Sequence, residues 1–298
     1  MTILDVILLA IVQGLAELLP VSSSAHVVVA EKLLGLNPSS PEMTLLLVML
    51  HTGTMFAVIV YFWRTWKKAY FSSVKAFQRF ALLLIWATLL TGAVGEILKK
   101  IIERTMFKGA PKAEIELLFS RLDLIAPALA AAGILILVAG LLEVAGLLEK
   151  RHRAAGLAEN PQSGDSITYA QAGWMGIVQG LALPFRGFSR SGATISAGML
   201  TGAAKEKAER FSFAMAVVLT PAVVAIEALR LDKASIGHSA SLTAALGMSL
   251  LGMVFSFAAG LLALRWLSRW LETGRWYLFG VYCLAASGVV WYLHLKGF

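Results

Sequence analysis

The sequence predicts an all-α polytopic membrane protein with an inverted-topology repeat, each half a re-entrant helix hairpin plus three transmembrane helices. Three observations carry this reading. The chain is 58% hydrophobic and only 15% charged, its mean hydropathy is +0.75, and several apolar runs approach the roughly 20 residues that cross hydrocarbon. The six residues Ile11-Val-Gln-Gly-Leu-Ala16 recur unchanged at Ile177 to Ala182. Each copy then leads into a proline, Pro20 or Pro184, and a hydroxyl-rich turn. The expected organisation is a single integral membrane domain over residues 1–298, with pseudo-repeats at about 1–147 and 168–298.

The elements follow in chain order. Residues 3–19 and 25–36 are apolar but short, and Pro20 with the serine run separates them, so neither spans comfortably alone and together they read as a re-entrant hairpin. Crossings are expected at about 45–63, 80–98 and 121–147. The second half repeats the scheme: residues 170–183 and 193–203 flank the second polar turn, and crossings follow at about 209–229, 241–264 and 276–295. Asp5 is the first charge and no small-residue cleavage site follows the first apolar run, which argues against a removable signal peptide. Cys283 is the only cysteine, so an intramolecular disulfide and a cysteine-rich metal site are excluded. In a membrane chain the net charge of +8 points to anionic headgroups and the cytoplasmic side rather than to nucleic acid.

Lysine and arginine set the expected orientation. Residues 64–79 carry Arg64, Lys67, Lys68, Lys75 and Arg79 without an acidic residue and are placed in the cytoplasm. Three crossings per half then put 148–169 (Lys150, Arg151, Arg153), 204–210 (Lys205, Lys207, Arg210) and 265–275 (Arg265, Arg269, Arg275) on the same side. The loop at 99–121 falls outside, its basic residues diluted by Glu103, Glu114 and Glu116. An odd number of crossings between the hairpins makes the halves inverted, so the two polar turns are expected to meet near the midplane and hold one anionic substrate.

Those turns hold the candidate chemistry. Backbone N–H groups after Ser22-Ser23-Ser24 and after Ser189-Arg190-Ser191 stand at helix starts, where unsatisfied donors and the helix dipole favour phosphate. Arg190 adds a planar, permanently charged fork. The plain alternative for the serines is capping and close helix packing. Glu17, an intramembrane carboxylate, is a functional candidate by default; Gln13, four residues earlier, shares its helix face. Beside a phosphate such a carboxylate calls for a cation, and magnesium is commonly held by one or two carboxylates with substrate phosphate oxygens. A structural pairing of Glu17 with Arg190 or Arg186 is the alternative. His26 follows Ser23 by three residues and can share a face with a serine hydroxyl, as base-activated attack requires. His51, inside the first crossing, could line the same cavity but has no motif partner and reads as packing; His152, His238 and His294 fall in or near loops or termini. Glu96, Glu143 and Glu227 read as boundary residues, and the segments Arg64–Trp66 and Arg265–Trp270 as interfacial anchors. No Walker loop, dinucleotide fingerprint or HExxH occurs.

At these residues the chain resembles the undecaprenyl-pyrophosphate phosphatase family, the bacitracin-resistance family of bacterial inner-membrane enzymes. Gln13-Gly-Leu-Ala-Glu17 is similar to its (Glu/Gln)-x-x-x-Glu motif, Pro20-Val-Ser-Ser-Ser-Ala-His26 to its Pro-Val-Ser-Ser-x-x-His continuation, and Gly187-Phe-Ser-Arg-Ser-Gly-Ala-Thr194 to most of its Pro-Gly-x-Ser-Arg-Ser-x-x-Thr motif. Two positions depart: Gln13 stands where many members have glutamate, and Arg186 where the family proline is expected.

The resemblance implies removal of the terminal phosphate from undecaprenyl pyrophosphate, yielding the monophosphate carrier used in peptidoglycan synthesis. By the same resemblance Glu17 holds a metal or moves a proton, Ser23 is nucleophile or phosphate ligand, and His26 assists it. Arg190 stabilises charge on the pyrophosphate, with Gln13, Ser22, Ser189, Ser191 and Thr194 binding substrate. The expected cofactor is a divalent cation, magnesium before calcium. The expected partners are the lipid and the bacterial membrane, with a homodimer allowed and nucleic acid not among them. A flippase or transporter of the polyprenyl carrier, alone or combined with the phosphatase, is the competing reading, since broken helices in inverted repeats are a transporter feature. Access from the outer side of the inner membrane is expected.

Overall fold

The computed structural model describes residues 1–37, 40–106, 121–147, 167–234, 239–272 and 274–298. Among them ten α-helices follow one another: α1 (Ile3–Leu18), α2 (Ser23–Leu33), α3 (Pro41–Tyr70), α4 (Val74–Met106), α5 (Leu122–Val144), α6 (Tyr169–Ala182), α7 (Arg190–Leu200), α8 (Lys205–Ala234), α9 (Ser239–Glu272) and α10 (Tyr277–Leu295). No strand occurs among the described residues. Five helices, α3, α4, α5, α9 and α10, are long and apolar enough to cross a membrane, and the chain is a multi-pass membrane protein. The crossing expected at 209–229 falls within α8, which contains Pro221 and is not one of those five.

Helix lengths run 16, 11, 30, 33 and 23 residues from α1 to α5, and 14, 11, 30, 34 and 19 from α6 to α10. The first helix of each series opens with the same device, a capping box. Thr2 Oγ1 accepts the N–H of Asp5 at 3.2 Å while Asp5 accepts that of Thr2 at 2.6 Å. Thr168 Oγ1 accepts the N–H of Gln171 at 3.2 Å while Gln171 accepts that of Thr168 at 2.9 Å. From cap to glutamine the register is identical, Thr2 to Gln13 and Thr168 to Gln179.

The crossing helices run longer than their apolar windows. The basic loop expected at 64–79 shrinks to residues 71–73, with Arg64, Lys67 and Lys68 on the last turns of α3 and Lys75 and Arg79 on the first turns of α4. Hydropathy registers only the part inside hydrocarbon; beyond it the helix continues, and lysines in a C-terminal turn complement the helix dipole. Tyr70 and Phe80 stack across this short turn with centroids 3.9 Å apart. Lys205, Lys207 and Arg210 likewise ride on the start of α8, and Arg265 and Arg269 on the end of α9. Lys108, Lys112, Glu114, Glu116, Lys150, Arg151, His152, Arg153 and His238, and the side chains of Glu227 and Trp270, lie outside the described residues.

The chain divides into two compact units. The first comprises Met1–Leu19, Ser23–Trp63 and Ala216–Leu267. Within it Val6, Leu9 and Ala10 of α1 form a helical stripe that packs with Val27 of α2 and with Met43, Leu46 and Leu50 of α3. The same stripe continues through Gln13 and Gly14. A Cβ on Gly14 would stand 2.5 Å from the Cβ of Ala259 and 2.7 Å from the carbonyl oxygen of Ser256, so only glycine lets α1 lie this close to α9. Ser256 Oγ in turn donates to the Leu50 carbonyl at 2.7 Å, tying α9 to α3.

The second unit comprises Pro20–Ser22, Arg64–Met215 and Ser268–Phe298. Here α6 lies on α4 through the second copy of the same dipeptide: a Cβ on Gly180 would stand 2.7 Å from the Cβ of Val94 and 2.8 Å from the Thr91 carbonyl oxygen. Thr91 Oγ1 donates across the contact to the Gly176 carbonyl at 2.9 Å. Helices α5 and α10 pair along their length, with Ser287 Oγ donating to the Ala126 carbonyl at 2.8 Å.

Candidate active site

Pro20 ends the first hairpin's opening helix. A proline disfavours helical ψ in the residue before it, and Leu19 is extended at φ −81°, ψ 151°. Ser22 then takes φ 68°, the left-handed region that a serine enters at a cost of about 1–3 kcal/mol. That reversal brings Ser23, the first residue of α2, back onto the last turn of α1. The Ser23 hydroxyl donates a short hydrogen bond to Glu17 Oε2, and Gln13 Nε2 donates to the same oxygen at 3.1 Å. The expected face-sharing of Gln13 and Glu17 is present, and Gln13 is 1% exposed. Its amide contributes an N–H to Glu17 in this arrangement.

A further residue enters from α3. His51 Nε2 stands 3.8 Å from Glu17 Oε2, while its Nδ1 donates to the Leu47 carbonyl at 2.8 Å, one turn earlier on its own helix. The expectation that His51 merely packs is therefore corrected: the ring faces the carboxylate. The sequence did hold a signal, since an ionisable side chain inside an apolar run is a functional candidate in its own right. His26 lies on α2, half-buried, three residues after Ser23. Glu17 is thus an acceptor with donors from α1 and α2 and an imidazole from α3 around it. Among the described residues no group of three His, Cys, Asp or Glu gathers. One carboxylate and one imidazole suit an ion that takes the rest of its shell from water and substrate rather than a closed protein cage.

The second turn is built from different parts. Gly187 has φ 101°, and a Cβ there would collide with the Ile125 carbonyl oxygen of α5. Ser189 caps α7, its hydroxyl accepting the Gly192 N–H at 3.3 Å, and is 1% exposed. Arg190 is the first residue of α7 and is half-buried, as is Arg186 before it; Ser191 is buried. Thr194 is fully buried: its hydroxyl donates to the Arg190 carbonyl at 2.9 Å and shares a 2.6 Å hydrogen bond with Ser212 of α8. Ser189, Arg190, Ser191 and Thr194, with Ser22, belong to the second unit; Gln13, Glu17, Ser23, His26 and His51 belong to the first.

The boundary-residue reading of Glu143 is sharpened by an ion pair, Lys205 Nζ to Glu143 Oε1 at 2.6 Å, joining the start of α8 to the end of α5.

The family model described as "Bacitracin resistance protein BacA" matches residues 6–289. Among curated proteins the chain is 55% identical over 294 residues to "Undecaprenyl-diphosphatase 2" of Acinetobacter baylyi, covering 97% of both chains. It is 33% identical over 298 residues to "Undecaprenyl-diphosphatase 2" of Burkholderia thailandensis, covering 96% of this chain and 95% of that one. It is 32% identical over 298 residues to "Undecaprenyl-diphosphatase 1" of Burkholderia pseudomallei, with the same coverage.

Proposed function

The chain belongs to the bacitracin resistance protein family, and on that premise we propose that it dephosphorylates undecaprenyl pyrophosphate to undecaprenyl phosphate, recycling the lipid carrier for cell-wall synthesis and so conferring bacitracin resistance. The observation that carries this reading is the Ser23 hydroxyl donated to a carboxylate that Gln13 also holds, at the break between α1 and α2. That is the geometry of a nucleophile with its base.

In the proposed reaction Ser23 Oγ bonds to the terminal phosphorus as the bond from that phosphorus to the bridging oxygen breaks. The serine proton passes to the Glu17 carboxylate, and the lipid monophosphate leaves with the bridging electrons. Water then attacks the phosphoserine, aided by His26, releasing inorganic phosphate and restoring Ser23. Arg190, with the N–H groups and hydroxyls of Ser189 and Ser191, balances charge on the equatorial oxygens, the largest contribution expected in phosphoryl transfer. Ser22 and Thr194 shape the two turns around it. Glu17 would help to hold a divalent cation, magnesium or calcium, which would supply charge neutralisation.

In the proposed architecture the halves are inverted repeats of a re-entrant hairpin plus three crossings. The recurring helix lengths, the paired capping boxes and the common cap-to-glutamine register support it. The protein then sits in the inner membrane with its site open to the outer face. Impermeant labelling of single-cysteine variants at residues 22–26 tests the orientation; modification from the cytoplasmic side alone would overturn it.

The test of function is phosphate release from undecaprenyl pyrophosphate by purified protein in detergent with magnesium, beside a folded Arg190→Ala variant. Release by the wild type and its loss in the variant are expected. No release under any divalent ion, with the lipid still bound, would leave the carrier-flippase reading in its place.

A further inference from the structure

We propose that His51 is a metal ligand, forming with Glu17 a mixed nitrogen–oxygen cation site. This deepens the phosphatase reading and rests on it. Nδ1 of His51 donates to the Leu47 carbonyl at 2.8 Å, which fixes both the tautomer and the plane of the ring. A neutral imidazole with its proton on Nδ1 presents a bare lone pair at Nε2. His51 Nε2 faces Glu17 Oε2 across 3.8 Å, too far for a hydrogen bond. With the ring neutral, this nitrogen and the carboxylate oxygen form a pair of lone-pair donors that a cation between them would satisfy. A cation with bonds of about 2.0–2.2 Å to nitrogen and oxygen holds those ligand atoms about 3–4 Å apart, depending on the angle. Histidines that bind metal almost always give their other N–H to a carbonyl or carboxylate, the part Leu47 plays here.

The remaining contacts agree. Gln13 and Ser23 both donate to Glu17, so the carboxylate is an oriented acceptor. The His51 side chain is 39% exposed, so an ion can reach the gap, whereas Glu17 at 10% is held in place. Gln13 also stands where a second carboxylate would make an all-oxygen site; with glutamine there, the second donor comes from α3 instead. Imidazole suits later divalent ions, while carboxylate, water and phosphate suit magnesium, calcium and manganese. A pair with one of each selects manganese above magnesium.

The test uses the whole purified protein in detergent, loaded with Mn²⁺ and inorganic pyrophosphate. Pulsed electron paramagnetic resonance is expected to detect ¹⁴N modulation from one imidazole in the wild type and none in His51→Gln. Mn²⁺ should bind the variant at least about tenfold more weakly, the loss typical of a damaged metal shell, while its affinity for Mg²⁺ changes less. Bound manganese without nitrogen modulation, no bound manganese, or equal Mn²⁺ affinity in both proteins would overturn the site and identify the contact as an ion pair of protonated His51 with Glu17. Phosphate release measured on the same samples separates the two claims: release without nitrogen coupling removes the metal site alone, and absence of release removes the phosphatase reading.

Discussion

The same six residues, Ile-Val-Gln-Gly-Leu-Ala, end helix α1 and helix α6, and the two copies have gone opposite ways. Their glycines do the same work, letting α1 lie on α9 and α6 on α4. Their glutamines do not. Gln13 donates to Glu17 four residues on, whereas in the second copy that position is Leu183 and Gln179 Nε2 instead donates to Thr91 of α4 at 3.3 Å. The turns differ in the same sense: a serine in left-handed conformation and a carboxylate acceptor in the first, a glycine and an arginine at a helix start in the second. The glutamine–glycine pair recurs where each helix ends; the residue four positions past the glutamine decides whether the break carries a carboxylate.

The largest expected effect follows from that position. Glu17→Gln keeps the shape and an oxygen that can accept the Ser23 hydrogen bond but removes the group that takes the proton, and a lost general base costs about 100- to 10,000-fold in kcat. The matching change in the other copy, Leu183→Ala, is expected to leave kcat alone, because Leu183 packs toward Gly95 of α4. Phosphate release by both purified variants checks the pair. Equal losses would show that the copies share one role and that the comparison misassigns the chemistry.

Much of this was legible in the residues. Pro20 and Pro184 marked both breaks, and the helix-face rule placed Gln13 beside Glu17. Hydropathy found five of the six expected crossings and undershot the end of α3, which continues through Arg64, Lys67 and Lys68. His51 escaped because its partner lies on another helix, and no local spacing encodes an approach between α3 and α1. The Ser23 contact escaped for a related reason. Counting three residues from Ser23 to His26 assumes the serine faces along its own helix, while the φ 68° of Ser22 turns the hydroxyl onto α1. The common capping boxes were visible as Thr2-x-x-Asp5 and Thr168-x-x-Gln171, ahead of the six-residue identity that drew attention to the repeat.

The finest division between the copies lies in the two glutamines themselves. Gln13→Leu removes a hydrogen bond to a charged group, an interaction of about 1.5–3 kcal/mol. Part of that orients Glu17, so a drop in kcat of roughly tenfold is expected, with little change in melting temperature. Gln179→Leu removes a neutral hydrogen bond, which inside membrane proteins averages about 0.6 kcal/mol. It also removes a buried carbonyl oxygen that has no hydrogen-bond partner among the described residues. Deleting a poorly satisfied polar group offsets the lost bond, so this variant should keep full activity and melt at nearly the wild-type temperature. A clear fall in its melting temperature would mean that the Gln179 carbonyl is satisfied by a buried water. The second copy would then carry a polar network of its own, and the contrast would narrow to one carboxylate, Glu17, against one leucine, Leu183.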